Sequence, residues 1–126
     1  MTMKKLCEVT MNEKFDEIVK KIIEFSDQRD WKQFHDPKNL AEAISIESGE
    51  LLEIFLWSST EDSKKLDNKK ISKIKEEIAD IAIFTIYLCD SLNIDLLEEI
   101  KNKLRENSNK YPIDKTISSS KKYSEL

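Results

Sequence analysis

The chain has 126 residues, 37% of them charged, with a net charge of −4 and 39% hydrophobic residues. That is one domain's worth of chain, with enough apolar material for a lean core. The mixed charge lacks the basic stripe of a general nucleic-acid binder, and no apolar run approaches the roughly 20 residues needed to span a bilayer. One Gly and two Pro in the whole chain indicate few turns and long helices. Cys7 and Cys89 form no knuckle or disulfide framework, which suits a reducing cytosol.

In chain order, residues 1–9 read as a short flexible leader without a signal-peptide core. Thr10-x-x-Glu13 is a capping-box pattern expected to open a first helix carrying Phe15, Ile18, Val19, Ile22, Ile23 and Phe25 on one stripe. Arg29, Trp31, Phe34 and the only histidine, His35, then crowd into a short connection. Such a segment can wall a ligand or merely plug the end of a bundle. Asp36-Pro37 reads as N-cap and N1 proline of a second helix, expected over 37–57.

Leu40, Ala43, Ile44, Leu51, Ile54 and Phe55 form the core face of that helix, with Trp57 at its end. Glu47, Glu50 and Glu53 recur every third residue along it, either as a solvent-facing acidic stripe or as ligands. Gly49 costs a helix interior about 1 kcal/mol relative to Ala, which points to a close approach there. Residues 58–70 are polar and read as a surface loop. A third helix follows over 71–92, and its run Ile78–Cys89, IADIAIFTIYLC, has Asp80 as its sole charge. Apolar residues on every side of that run predict a helix buried all round, partly against another subunit. Asp95-x-x-Glu98 caps a fourth helix with Ile94, Leu97, Ile100 and Leu104 on one stripe and cations toward its C-terminal half. Tyr111-Pro112 ends it, and residues 113–126 read as a flexible tail.

Two helices thus each carry carboxylates at i, i+3: Glu47 with Glu50, and Glu77 with Asp80. Four converging carboxylates repel one another unless a cation joins them. Mg²⁺ suits an all-oxygen set and leaves coordination positions for water and phosphate, an arrangement used in phosphoanhydride hydrolysis. A di-iron bundle would need Glu-x-x-His pairs on two helices, and His35 belongs to none.

IESGELLEIFLW followed by EEIADIAIF resembles the all-α nucleotide pyrophosphohydrolases of the MazG and dimeric dUTPase superfamily. RDWKQFHDPKNLAEAI and the closing KNKLRENSNKYP are most similar to its dCTP pyrophosphatase branch. The resemblance covers residues from about 24 to 112. It implies an all-α four-helix bundle completed by homo-oligomerisation, as a dimer or a tetramer built as a dimer of dimers. It also implies cytoplasmic, house-cleaning hydrolysis of a nucleoside triphosphate, dCTP or a related pyrimidine nucleotide, to the monophosphate and pyrophosphate. Mg²⁺, with Mn²⁺ as a substitute, would sit on Glu47, Glu50, Glu77 and Asp80. Trp31, His35, Lys38 and Asn39 would lie near the nucleotide, Trp57 near the base, and Lys103, Asn107, Lys110 and Tyr111 near the phosphates and sugar, some of them from a neighbouring subunit.

The chain departs from the family pattern at Ile46, where the MazG sequences carry a second Glu, and at Phe84, where the dCTP branch carries Tyr. The lost hydroxyl bears on base or sugar preference. Glu50 and Glu53 both stand as the residue that orients the water. The competing class is a non-catalytic helical interaction module with the same fold.

Overall fold

The computed structural model describes residues 3–126, with side chains from Lys14 onward. Five α-helices follow one another: α1 (Met3–Asp27), α2 (Pro37–Ile54), α3 (Asn68–Leu92), α4 (Leu96–Lys110) and the short α5 (Ile113–Thr116). Three 3₁₀ turns, at Lys32–Phe34, Asp62–Lys64 and Tyr123–Glu125, fill the connections and the tail. Among the described residues there is no strand. The four long helices are the ones the hydrophobic periodicity predicts.

The expected boundaries hold where a cap is strong. Asp36 accepts a hydrogen bond from the Asn39 N–H at 2.9 Å, with Pro37 at the first helical position. Asp95 accepts from the Glu98 N–H at 3.1 Å. Four expectations shift. Helix α1 begins at Met3 rather than at Thr10, because nothing between them breaks a helix; the leader expected over 1–9 lies partly outside the described residues. Helix α2 stops at Ile54 rather than Trp57, whose φ of 67° is left-handed. Helix α3 starts at Asn68, three residues before the periodic run, because Asp67 caps it by accepting from the Lys70 N–H at 2.8 Å. The tail holds α5 and a 3₁₀ turn where a flexible segment was expected.

The chain forms two units, Met1–Asn93 and Ile94–Leu126. In the first, α3 packs along α2 and, over a shorter contact, against α1. Leu40, Ile86 and Tyr87 are buried there, with Ser26 and Glu77 as the buried polar residues. The prediction of an α3 buried on all sides fails for the single chain. Ile78 is 54% exposed and Asp80 is exposed, while the buried carboxylate is Glu77. The two packed neighbours cover only part of the helix circumference. In the second unit α4 buries none of its residues, and Leu104 on its apolar stripe is exposed.

Candidate metal and nucleotide site

The packing of α2 on α3 brings the carboxylates together. Ligand oxygens of Glu47, Glu77 and Asp80 all lie within 4.8 Å of one another. Glu77 and Asp80 share a face through their i, i+3 spacing, and Glu47 meets them from α2. Glu47 Oε2 and Glu77 Oε2 are both buried and have no hydrogen-bond partner. Two carboxylates can bond each other only by sharing a proton, so this contact requires either a proton or a cation. The same contact with Glu77, followed by burial and by the nearby Glu50 and Asp80, pushes the Glu47 carboxyl up to about 7. Glu50 therefore stands beside Glu47 but outside the tight trio, and it is exposed.

These residues fit a divalent cation. The donor set is all oxygen, two of its oxygens are buried and unsatisfied, and Asp80 is open on one side. Lys73 Nζ lies 3.6 Å from Glu77 Oε1 and 3.7 Å from Glu76 Oε2. Its exposed head makes that pair weak. Among the described residues no ion pair within 4.0 Å reaches Asp80, and Lys21 lines the same cavity. Gly49 differs from expectation. A Cβ built there meets nothing within 4 Å among the described residues, so no close approach among them requires the glycine.

Asp80 also borders an apolar cavity of about 490 Å³, walled by Ile18, Phe25, Trp31, His35, Phe84 and Tyr87. Trp31 meets Phe25 edge-on at 5.6 Å, and the Arg29 guanidinium lies 3.6 Å over the Phe25 ring. His35 packs against Tyr87 at 4.4 Å. Burial lowers the His35 pKa, which favours the neutral imidazole. Of the residues expected near the nucleotide, Trp31, His35 and Phe84 are thus gathered beside Asp80.

Others lie elsewhere. Asn39 donates through Nδ2 to the Phe34 carbonyl at 3.2 Å, closing the turn before α2, and the exposed Lys38 pairs with Glu42. Trp57 is 95% exposed and does not border the cavity; that exposure also excludes the core-plug reading. In the second unit, Lys103 and Lys110 both pair with Glu106, at 3.1 and 2.9 Å. Those two lysines lower the Glu106 pKa, and Glu106 raises that of Lys110. Tyr111 packs edge-on against Tyr123, whose ring lies under Lys110 Nζ. Asn107 accepts the Tyr111 N–H through its carbonyl at 2.8 Å.

Sequence reasoning passed over Tyr87, Ile83 and Ser26. Tyr87 was legible: Asp80, Ile83, Phe84 and Tyr87 fall at i, i+3, i+4 and i+7, one helix face. No sequence signal distinguishes Ser26.

Comparison with known proteins gives a consistent set. The MazG-like family model matches residues 43–126. Mouse and human dCTP pyrophosphatase 1 are 36% and 35% identical over 105 residues. Those matches cover 82% of this chain but span 62% of each relative. A crystal structure of a pyrophosphatase from Archaeoglobus fulgidus superimposes with a TM-score of 0.74 at 41% identity, covering 78% of this chain and 92% of that one.

Proposed function

Since the chain belongs to the MazG-like family, we propose that it is a Mg²⁺-dependent pyrophosphohydrolase that cleaves dCTP or a related pyrimidine nucleoside triphosphate to the monophosphate and pyrophosphate. One observation carries this reading. The three-carboxylate cluster and an aromatic cavity large enough for a base share Asp80. The names of the relatives, dCTP pyrophosphatase 1 in mouse and man, support the base class.

Glu47, Glu77 and Asp80 would hold the ion, with Glu50 beside them. When bound, Mg²⁺ or Mn²⁺ neutralises triphosphate charge and polarises a phosphoanhydride. The chain's own residues supply the rest. Trp31, Phe25 and Phe84 offer ring faces and edges to the base and keep water from it; stacking contributes about 1–3 kcal/mol per base. His35 offers a neutral imidazole at the same wall. A water oxygen bonds to the α-phosphorus, the bond to the bridging oxygen breaks, and pyrophosphate leaves. The proton from that water passes to a carboxylate, and the exposed Glu50, next to Glu47, is the nearer of the two candidates to the cluster; Glu53 is the other. Lys103 and Lys110 would act as point charges for phosphate oxygens.

Two cysteines without a metal or disulfide spacing in the sequence fit a reducing cytosol. No helix among the described residues is long and apolar enough to cross a membrane. The test is pyrophosphate release from a panel of nucleoside triphosphates with and without Mg²⁺. Turnover that is strongest with a pyrimidine deoxynucleotide and absent without metal is expected. No release from any member would leave the non-catalytic interaction module in its place.

A further inference from the structure

Ser26 is 1% exposed and lies in the last turns of α1. Its carbonyl accepts from the N–H groups of both Arg29 and Trp31, each at 3.1 Å, and so closes the turn that carries Trp31 to the cavity. Its hydroxyl lies 3.3 Å from His35 Nδ1. A buried hydroxyl must place its proton on some acceptor. The usual acceptor for a helical serine is the carbonyl four residues back, here Ile22. That oxygen already faces the helical N–H of Ser26 itself and accepts the Tyr87 hydroxyl at 2.9 Å. A carbonyl has two lone pairs, and both are used. Among the described residues the hydroxyl bonds neither the Ile22 carbonyl nor the Ile23 carbonyl three residues back, and His35 Nδ1 is its one hydrogen-bond partner.

We propose that Ser26 is a positioning residue that holds His35 in the tautomer protonated at Nε2, so that the cavity wall offers an N–H donor to an acceptor-bearing edge of the base. The proposal deepens the nucleotide reading and rests on it for the identity of the ligand. The Tyr87 hydroxyl is what makes the lock one-directional, because it occupies the alternative acceptor. The structure gives Nε2 no partner among the described residues. Burial lowers the His35 pKa, which disfavours a second proton on the ring. A donor at this wall suits a base edge rich in acceptors, such as the O2 and N3 positions of cytosine, and disfavours an edge that offers only donors.

The chain has one histidine, so the imidazole nitrogens give a single spectrum. Long-range ¹H–¹⁵N NMR of the labelled wild-type protein, free of nucleotide at pH 7.5, is expected to show the proton on Nε2. Ser26→Ala should blur this to a tautomer mixture and raise KM for dCTP about three- to tenfold, with kcat held within about twofold. Ser26→Thr, which restores a hydroxyl, should recover the wild-type spectrum. A wild-type spectrum with the proton on Nδ1, or a Ser26→Ala spectrum identical to wild type, overturns the proposal. Should Ser26→Ala fail to fold, the wild-type spectrum decides by itself. Absence of pyrophosphate release by the wild type would fail the nucleotide reading alone, because the NMR result does not depend on turnover.

Discussion

Asp80 belongs both to the three-carboxylate cluster and to the lining of the aromatic cavity. Asp80→Asn keeps its volume and removes its charge. Activity at ordinary Mg²⁺ should fall by at least about 100-fold, since a ligand and a neutralising charge are lost together. Without metal the variant should melt above wild type, because like charges are relieved in the cluster. A variant that melts well below wild type without metal, or that keeps full activity, would count decisively against the site. Glu47 gives a pH prediction of definite sign. Its folded pKa of about 7 exceeds the ordinary carboxylate value. The folded state therefore binds the extra proton, and that contribution is full below the unfolded pKa and lost as pH rises through 7. Metal-free protein should lose melting temperature between about pH 5 and 8, and Mg²⁺ should remove the slope by taking the proton's place. A metal-free curve that rises over this window would refute the crowding.

At the scale of elements, α2 and α3 bring the carboxylates together: Glu47 of α2 meets Glu77 and Asp80, which share a face of α3 at i, i+3. Their caps are local: Asp36 and Asp67 each satisfy an N–H in the first turn. Gly49 is the weak point of α2. With nothing within 4 Å of a Cβ there, Gly49→Ala should stabilise the isolated chain by about 0.5–1 kcal/mol in denaturant unfolding. A destabilisation would mean that another chain approaches that face. The left-handed Trp57 just beyond α2 costs about 1–2 kcal/mol as a non-glycine residue, which sets its indole off the helix axis and into solvent.

For the whole molecule, the exposed apolar side chains are the chief observation. Ile46, Leu52, Leu56 and Trp57 are 61%, 68%, 55% and 95% exposed on and just after α2, and Ile78 is 54% exposed on α3. Burying such side chains stabilises by about 1.5–3 kcal/mol each. We expect the protein to be a homo-oligomer, dimer or tetramer. Light scattering that gives only a 14.8 kDa monomer at micromolar concentration would exclude this. Trp57→Ala should leave the fold of the single chain intact, because its side chain touches little of it. A rise in KM for the same variant would require Trp57 to reach the site of a neighbouring copy.

The sequence alone determined the four long helices, through apolar periods of 3.6 and the Asp caps at Asp36 and Asp95, since both are local interactions. It also carried the acidic pairs, because i, i+3 spacing is a property of one helix. Only the tertiary structure decided which carboxylate is buried. Apolar neighbours along the chain pointed to Asp80, but the packing of α2 on α3 encloses Glu77 and leaves Asp80 open toward the cavity. It alone placed Ser26 against His35, nine residues on, and the Tyr87 hydroxyl on the Ile22 carbonyl from another helix. Contacts between elements depend on how helices are rotated and packed, and neither periodicity nor composition encodes that rotation.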